Sequence, residues 1–521
     1  MLIFPGPETP PDNVANVILA EVSEGKTPQS ASQAAKRAAI DCWEKFAAEA
    51  RSEAAEFIRW HIWTQQVGDV IEFYAAWTPL ASPSHYKEAR QRVMRLLAGR
   101  KACRDFSPAV GHPGIPKSSL DGARESVWKD PEKTLELNPR LDRRLRLSEG
   151  EQLDVVGLTK RLGGGRKGFP SVSRIAADPW LRGAAKADGW KAFLTACENL
   201  ARKNCLARIG SDWPQFSAFP YEGTPVYRQR HKELQTETGC PEADLKELGG
   251  ALRPLEDCCD IPEPYLAILV ADGDRMGKTI SAIDSADKHR EFSKQLASFA
   301  GAARGILQGH QGCLVYSGGD DVLAFVPVDT CLPCARELHD AFGKVTAQWK
   351  DETGASPTLS VGIAIGHFMD PLEDLLAYSR AAEKAAKHPD RDGLAVHLHP
   401  RSGAPRAIRG RWSDNLDRKI ETWARLLLEG HIPDKAAYDL EELARDYENW
   451  PDGTATAHAI PEDAQRLLKR KRPKSGGDLA PELTELLRSA INAQDLSRIA
   501  TQVLVARRIA RSWEQASGGP Q

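Results

Sequence analysis

The sequence predicts a multidomain α+β protein, and three stretches carry that prediction. The stretch 265–277, YLAILVADGDRMG, is nearly unbroken in apolar character up to its Asp-Gly-Asp, which is typical of a buried strand. The stretch 313–327, CLVYSGGDDVLAFVP, holds a Gly-Gly pair between two apolar runs and therefore predicts a β-hairpin. Apolar residues at helical spacing lie between and after these segments. Strands and helices therefore share one compact region.

The remaining elements of this region follow in order along the chain. Helical spacing covers 292–306 and 331–349, LSVGIAI at 359–365 reads as a strand, and 372–388 predicts a third helix. A short strand at 394–398 closes the region. The predicted order is β-α-ββ-α-β-α-β. That order predicts a ferredoxin-like palm, an antiparallel-rich sheet with helices packed on one face.

Three carboxylates mark the chemistry of this predicted palm. Asp272 ends the buried strand, and Asp320 and Asp321 lie at the tip of the hairpin. If strand and hairpin are neighbours, the three side chains converge and repel one another unless a cation binds. Mg²⁺ or Mn²⁺ in a two-metal site would activate an attacking hydroxyl and stabilise a leaving pyrophosphate. A Gly-Gly-Asp turn alone is more often just a turn, so the pair of motifs carries the prediction.

Neighbouring residues complete the predicted site. Glycines at the hairpin and strand end leave the backbone open to a triphosphate, and lysines neutralise phosphate charge. The predicted nucleotide-binding residues are Ser317, Gly318, Gly319, Gly273, Lys278 and Lys387. Asp274 joins the three carboxylates as a fourth candidate metal ligand, although it could point away from them. A solvated helix face is the alternative interpretation for Lys384 and Lys387.

Several motifs resemble one known family. DGDRMGK at 272–278, YSGGDDVLAFVP at 316–327, LSVGIAIGH at 359–367 and PLEDLLAYSRAAEKAAKH at 371–388 resemble the cyclase-type palm in the large subunit of type III CRISPR effector complexes. The Cmr type, type III-B, is the most similar. KSSLDGARESV at 117–127 and LTKRLGGGRKGFPSVSRIAADPW at 158–180 are similar to segments that precede this palm in the family. The resemblance covers the chain from about residue 60 to 400.

The resemblance implies an enzyme of antiviral defence. In that family the palm converts ATP into cyclic oligoadenylates, in a metal-dependent nucleotidyl transfer, when the assembled complex binds target RNA. The implied partners are other Cmr-complex subunits, guide RNA and target RNA, with ATP as substrate. It also implies that the helical tail docks a small helical subunit along the RNA.

Four domains are expected. They are a first, truncated palm-like domain with helices at 1–150, a helical and linker domain at 151–260, the GGDD palm at 261–410, and a C-terminal helical domain at 411–521. Family members usually begin with a nuclease module marked by a His-Asp pair. The only His-Asp dipeptide here, His339-Asp340, falls inside a predicted palm helix without clustered partners. We therefore expect no nuclease activity of this type from the chain.

Composition limits the class of protein. The chain has 521 residues, a net charge of −2 and ten cysteines without regular spacing, which favours a reducing cytoplasm over a disulfide framework. No signal peptide or apolar span is evident, so we expect no membrane partner. The CxxC at Cys331 and Cys334 lacks a second pair, and structural zinc is not expected.

Three basic stretches are candidates for RNA contact. They are the helical stretch 86–104, the glycine-rich stretch 158–174 and the run RLLKRKRPK at 466–474. Solvated surface is the alternative for each. A Walker phosphate loop is not predicted at 158–174, because the glycines are not followed by Lys-Ser or Lys-Thr.

Three other functions remain open at this point. The chain could be a catalytically silent scaffold in the same kind of complex, a stand-alone nucleotide cyclase, or a template-directed polymerase. The intact Asp272, Asp320 and Asp321 argue against the scaffold, because a decayed site would tolerate Asn or Ser there. The long preceding segments and the basic helical tail argue against the stand-alone cyclase.

Overall fold

The computed structural model describes residues 1–6, 16–23, 25–103, 111–129, 150–163, 168–433, 435–470 and 480–518, together with residues 141, 145 and 147. The chain divides into two compact units. The first contains Met1–Ile3, Leu19–Lys167 and Ile283–Lys288, and the second contains Phe4–Ile18, Gly168–Ala282 and His289–Gln521. The four predicted domains remain a prediction, since this division follows other boundaries.

The first unit is mainly helical. Strands β1 (Leu2–Phe4) and β2 (Leu19–Ala20) pair, and helices α1 (Pro28–Ala54), α2 (Trp60–Asp69), α3 (Tyr86–Ala102) and α4 (Val155–Leu162) follow. Thr27 accepts a hydrogen bond from the amide of Ser30 and Pro28 stands at the first helical position, which together fix the start of α1. The core of the unit includes Trp63 and the stacked rings of Phe57 and Trp128.

The predicted first palm finds little support in the described residues. Within 1–150 they hold only the strands β1 and β2, of three and two residues. Alanine-rich helical sequence occupies most of the remaining described length, because alanine and charged residues favour helix over strand. That part of the domain prediction remains a prediction.

Four helices of the second unit precede the palm. They are α5 (Val172–Ala184), α6 (Trp190–Arg202), α7 (His231–Thr238) and α8 (Glu242–Cys259). Ser171 caps α5 by accepting from the amide of Arg174. Buried aromatic residues of these helices and of their connections, including Trp180, Phe193 and Phe219, form one core with palm-sheet residues such as Leu266 and Phe325.

The palm is a six-stranded sheet. Its strands are β3 (Tyr265–Asp274), β4 (Cys313–Gly318), β5 (Asp321–Val326), β6 (Thr358–His367), β7 (Gly393–Leu398) and β8 (Arg406–Arg411), in the order β4-β5-β3-β6-β7-β8. All neighbours are antiparallel except β6 and β7. A register shift between Leu314 and Tyr316 marks a β-bulge in the edge strand β4.

Four helices belong to the palm sequence. They are α9 (Met276–Ala282), α10 (Ala286–Gly309), α11 (Cys331–Thr346) and α12 (Leu372–Lys387). The predicted order β-α-ββ-α-β-α-β is confirmed over 265–398, and so is the α+β fold class. The short helix α9 and the last strand β8 were not predicted. Helix α12 packs on β6 and β7.

Helices complete the described chain. They are α13 (Leu416–Leu428), α14 (Ala436–Asp446), α15 (Thr454–Arg470), α16 (Pro481–Arg488) and α17 (Ala493–Ser517). The long helix α17 packs against α13, α14 and α5. Asn492 caps it by accepting from the amide of Asp495. Within the ranges that the structure describes, no helix is long and apolar enough to cross a membrane.

Candidate active site

The register of the palm sheet brings three carboxylates together. Strand β3 pairs with β5 so that Ala271 faces Val322, and the next step along both strands brings Asp272 beside Asp321. Asp320 folds over the strand at Gly273, where a Cβ atom would lie 2.7 Å from the Asp320 Cβ. Each of the three aspartates offers a carboxylate oxygen, and these oxygens lie within 4.8 Å of one another. The predicted convergence is confirmed.

The chemistry of this donor set fits a hard divalent cation. The donors are carboxylate oxygens, which Mg²⁺ and Mn²⁺ prefer over nitrogen or sulfur ligands. In the described part of the chain, no other group of three or more His, Cys, Asp or Glu side chains converges in this way. Asp272, Asp320 and Asp321 are therefore the residues that could hold such an ion.

The proton affinities of the three carboxyls differ strongly. Burial and the nearby Asp272 charge raise the pKa of Asp320 to about 6. Burial, a hydrogen bond with Asp272 and the charges of Asp272 and Asp320 raise the pKa of Asp321 to about 8. Burial also acts to raise the pKa of Asp272, but hydrogen bonds from Asp321 and Lys387 outweigh it and lower that pKa. Without a cation, the cluster at neutral pH therefore keeps a proton on Asp321.

Lys387 lies at the end of α12 and faces the cluster. Its ammonium group forms an ion pair with Asp272 and a second one, of 2.5 Å, with Glu383 one turn earlier. These pairs raise the pKa of Lys387 although burial opposes the shift. The lysine predicted to neutralise phosphate thus neutralises a site carboxylate in this structure.

A pocket of about 490 Å³ opens beside the cluster, which is within the range of small-ligand sites. Its lining includes the carboxylates of Asp272 and Asp320 together with three cationic side chains. Its lining residues are Asp272, Gly273, Arg275, Met276, Gly277, Lys278, Asp320 and Arg391. Among the predicted nucleotide-binding residues, Gly273 and Lys278 line this pocket.

The hairpin residues have different roles. Gly319 has a φ of +75°, the left-handed region that glycine adopts at little cost, and it allows the tight connection between β4 and β5. Gly318 lies under the ring of Tyr316, which fills the space that a side chain there would need. Ser317 is buried, and its hydroxyl donates to the carbonyl of Ala300 on α10. Strand alternation turns this side chain toward the helix layer, and the assignment of Ser317 as a nucleotide-binding residue stays a prediction.

Asp274, the fourth candidate metal ligand, lies apart from the other three carboxylates, so its role as a ligand stays a prediction. Its side chain is fully buried and lies outside the carboxylate cluster. One oxygen, Oδ2, accepts from Ser360 Oγ at 2.7 Å, from Thr358 Oγ1 at 2.9 Å and from the Asp392 amide at 3.0 Å. Strand β6, which pairs with β3 up to Asp274, supplies both hydroxyls. Asp274 thus connects the end of β3 to the chain after α12.

Sequence reasoning missed both arginines of the pocket lining, Arg275 and Arg391. Arg275 directly follows the Asp-Gly-Asp motif, so its proximity was the one available signal. Arg391 lies in the connection between α12 and β7, and no local pattern distinguishes it from a surface arginine. Both depend on a tertiary arrangement that brings distant segments to one pocket.

Two arginines in the candidate RNA-contact stretches are buried. Arg90 on α3 is buried and donates to the carbonyl of Ile283 at 3.0 Å, so it has a packing role. Arg174 is buried beside Asp178, with its guanidinium over the Phe216 ring. The described exposed arginines and lysines of α3 and α15 remain candidates. Arg104, Arg166, Lys167 and 471–474 lie outside the described residues.

The remaining predictions concern His339 and the cysteines. His339 hydrogen-bonds Asp340 and Asp392 and lies against the Trp412 ring. Burial raises the pKa values of Cys331 and Cys334, which makes thiolate formation at either one unfavourable. That the chain lacks structural zinc and nuclease activity stays a prediction.

Comparison with known proteins agrees with the palm assignment. The family model for Cas10/Cmr2, second palm domain, matches residues 265–395. The Cmr subunit Cmr2 of the CRISPR system of Pyrococcus furiosus is 32% identical over 207 residues, covering 33% of this chain and 23% of that protein. The chain thus matches less than a quarter of the length of this curated relative.

Solved structures extend the similarity of fold beyond the palm. A chain in the apo state of the type III-B Cmr-beta complex aligns with a TM-score of 0.58 and 14% identity, covering 90% of this chain and 67% of that one. The same complex bound to cognate target RNA gives 0.62 and 14%, covering 94% and 71%. Residues 265–395 are thus similar to the second palm domain of Cas10/Cmr2, and the fold of the chain is similar to that of a chain in the Cmr-beta complex.

Proposed function

We propose that this chain is the large subunit of a type III-B CRISPR RNA-guided effector complex, and that its palm converts ATP into cyclic oligoadenylates when the complex binds target RNA. The observation that carries the proposal is the cluster of Asp272, Asp320 and Asp321, two of which line a pocket that also contains cationic side chains. That combination suits a substrate with a polyphosphate chain.

The reaction is a nucleotidyl transfer. The 3′-hydroxyl oxygen of one ATP forms a bond to the α-phosphorus of another, the bond to the β-phosphate oxygen breaks, and pyrophosphate leaves with the bonding electrons. The hydroxyl proton passes to solvent. Repetition, ending in attack by the 3′-hydroxyl at the far end of the chain, closes the ring.

Different residues of this chain have different roles in the proposed reaction. Asp272, Asp320 and Asp321 would hold Mg²⁺ or Mn²⁺, and such an ion would make the hydroxyl more acidic and stabilise charge on the leaving group. Lys278 neutralises phosphate charge from the pocket wall, and Lys387 orients Asp272 until phosphate arrives. Gly273 keeps the strand surface open so that Asp320 can reach the site.

The proposed partners are the other Cmr-complex subunits, guide RNA and target RNA. The support is the fold shared with a chain of the Cmr-beta complex, which has been solved bound to cognate target RNA. Synthesis that depends on target RNA would make the palm a sensor of foreign transcripts and assign the chain to antiviral defence.

The test is ATP turnover by the assembled complex. The chain, guide RNA and partner subunits are incubated with ATP and Mg²⁺ or Mn²⁺, with and without complementary RNA, and products are identified by mass spectrometry. We expect cyclic oligoadenylate only with complementary RNA.

Matched variants complete the test. The double variant Asp320→Ala, Asp321→Ala should lose the product, while Asp257→Asn, an exposed aspartate on α8, should keep it. Absence of product from a correctly assembled, target-bound complex would support the silent scaffold instead. Short cyclic dimers made by the isolated chain would support the stand-alone cyclase.

A further inference from the structure

Two arginines at the pocket have an unusual backbone. Arg275 has a φ of 63° and Arg391 a φ of 62°, and Asp392, which follows Arg391, has a φ of 47°. Residues with a side chain seldom occupy this left-handed region, because it strains their backbone. Such conformations persist where the surrounding structure fixes them, and they concentrate at ligand sites. Here both arginines line the same pocket.

The buried side chain of Asp274 fixes the backbone at Asp392. Its Oδ2 accepts the Asp392 amide at 3.0 Å in addition to the two β6 hydroxyls. The other oxygen, Oδ1, is fully buried, has no hydrogen-bond partner within the described chain and lies 3.9 Å from a guanidinium nitrogen of Arg391. A buried carboxylate aimed at a half-exposed arginine orients that arginine at the pocket.

Arg391 and Asp392 belong to the segment 388–392, which follows α12. Further contacts from outside this segment hold the two residues in place. The Trp412 amide donates to the Asp392 carbonyl at 3.0 Å, and His339 Nε2 lies 2.9 Å from an Asp392 carboxylate oxygen. Arg409 donates to the Arg391 carbonyl at 3.2 Å. Contacts from β3, β8 and α11 therefore hold Asp392 and the carbonyl of Arg391, whereas the Arg391 guanidinium stays half exposed.

The two guanidinium groups are available to a ligand. The Arg391 side chain is 49% exposed and the Arg275 side chain is 37% exposed. The nearest carboxylate oxygens that they face, on Asp274 and Asp351, lie at 3.9 and 3.8 Å, too far for a strong charged hydrogen bond. Guanidinium forks match phosphate oxygens in geometry and remain charged at all relevant pH values.

We propose that Asp274 and segment 388–392 form a preorganised polyphosphate-binding element, in which Arg391, together with Arg275, binds the phosphates of a nucleoside triphosphate. Asp274 is a positioning residue in this element and not a metal ligand. The inference rests on the proposed function only for the class of ligand, a nucleoside triphosphate.

The first test measures binding without turnover. Affinity of the full chain for α,β-methylene-ATP and for adenosine is measured by calorimetry with Mg²⁺. Arg391→Gln should weaken triphosphate binding at least tenfold and leave adenosine binding unchanged, because adenosine carries no phosphate. Arg391→Lys, which keeps the charge but loses the fork, should fall between. Arg304→Gln, an exposed arginine on α10 outside the pocket lining, is the matched control and should bind as the wild type does.

The second test separates positioning from metal ligation. Asp274→Asn should weaken triphosphate binding about fivefold while leaving Mn²⁺ affinity, measured by paramagnetic resonance, unchanged. Asp272→Asn should weaken Mn²⁺ binding. If Asp274→Asn does not fold, Ser360→Ala removes one of its donors and should weaken triphosphate binding in the same direction. Equal losses of Mn²⁺ affinity in Asp274→Asn and Asp272→Asn would overturn the positioning role.

The outcomes distinguish this inference from the proposed function. If the wild-type chain binds the triphosphate and Arg391→Gln binds it equally well, the polyphosphate element is wrong while the proposed function is untouched. If the wild-type chain binds no triphosphate, the polyphosphate element fails, and ATP turnover by the assembled complex still decides the proposed function. If binding follows the expected pattern but the complex makes no cyclic oligoadenylate, the element stands and the proposed function fails.

Discussion

At the scale of single residues, the carboxylate cluster makes folding stability depend on pH. The unperturbed pKa of these carboxyls is 3.8, and the folded values are about 6 for Asp320 and about 8 for Asp321. The folded chain therefore binds these protons more tightly than the unfolded chain does. The resulting stabilisation is complete below about pH 4 and is lost as pH rises through 8. Asp272, with its lowered pKa, acts in the opposite direction and only at lower pH.

We therefore expect the melting temperature of the metal-free chain to fall between pH 5 and pH 8.5. In chelator, Asp321→Asn should show a smaller fall and should melt higher than the wild type at pH 8, because the amide never ionises. Scanning fluorimetry across this range measures both. Asp257→Asn on α8 is the control, and parallel profiles for wild type and Asp321→Asn would contradict the expectation.

Gly273 gives a second prediction at this scale. A Cβ atom there would lie 2.7 Å from the Asp320 Cβ and 2.8 Å from Met276 Cγ, closer than real contacts allow. Gly273→Ala should therefore displace Asp320 and reduce nucleotidyl transfer by roughly 100-fold, as misplacement by about 1 Å can do. Product formation and Mn²⁺ affinity should fall together. Gly343→Ala on α11, with no atom near the added Cβ, should behave as wild type.

The residues at the site differ in how far local sequence reveals their positions. Asp272, Asp320 and Asp321 could be predicted because a buried strand and a glycine hairpin place carboxylates at positions that local pattern reveals. Arg391 could not, because its position depends on a left-handed backbone fixed by contacts from distant strands. Ser317 was assigned to the site because it belongs to the hairpin motif. Strand alternation, which was given less weight, turns its side chain toward α10.

At the scale of elements, helix α12 approaches the sheet over glycines. A Cβ atom at Gly362 on β6 would collide with the backbone of Ala382 and Glu383, and one at Gly366 would collide with the Leu375 side chain. The helix axis therefore lies closer to β6 than side chains would allow. This closeness places the last turn, with Lys387, beside Asp272.

Gly362→Ala should push α12 away from β6 and destabilise the fold by about 1–3 kcal/mol, the usual cost of overpacking. Backbone atoms of the helix cannot rotate away as a side chain can. Urea unfolding measures the loss of free energy. Gly301→Ala, in α10 with no atom near the added Cβ, should be neutral or stabilising by up to about 1 kcal/mol. A neutral Gly362→Ala would show that α12 can shift freely.

Elements were predictable where periodicity was strong. The five predicted palm strands and three helices correspond to β3, β4, β5, β6, β7, α10, α11 and α12. Strand β8, RAIRGR, was interpreted as linker because three of its six residues are arginines and only Ala407 and Ile408 are apolar. Its identity depends on pairing with β7, which local sequence does not encode.

At the scale of the whole second unit, a buried ion cluster joins its parts. Asp178 on α5 pairs with Arg174 at 2.8 Å and with Arg182 at 2.7 Å, and Arg182 reaches Asp329 after β5 at 2.5 Å. Trp513 on α17 donates to the Asp329 carbonyl at 2.9 Å. One network thus ties the leading helices to the palm and to the last helix.

Asp178→Ala should destabilise this unit by about 3–5 kcal/mol, because it leaves the buried Arg174 without its partner. Denaturant titration, followed by tryptophan fluorescence, measures the loss. Glu198→Ala, which breaks the exposed Glu198–Arg202 pair on α6, should cost less than about 1 kcal/mol. Similar effects of both variants would contradict the buried network.

The two edges of the palm sheet have a consequence for self-association. Edge strands can recruit strands from other molecules and so begin aggregation. The bulge in β4 interrupts the regular row of amide and carbonyl groups on one edge. On the other edge, β8 carries Arg406, Arg409 and Arg411, held by Glu441 and Asp390. Strand addition is thus disfavoured at both edges, so that neighbouring proteins meet this palm through helices and loops instead of by extending its sheet.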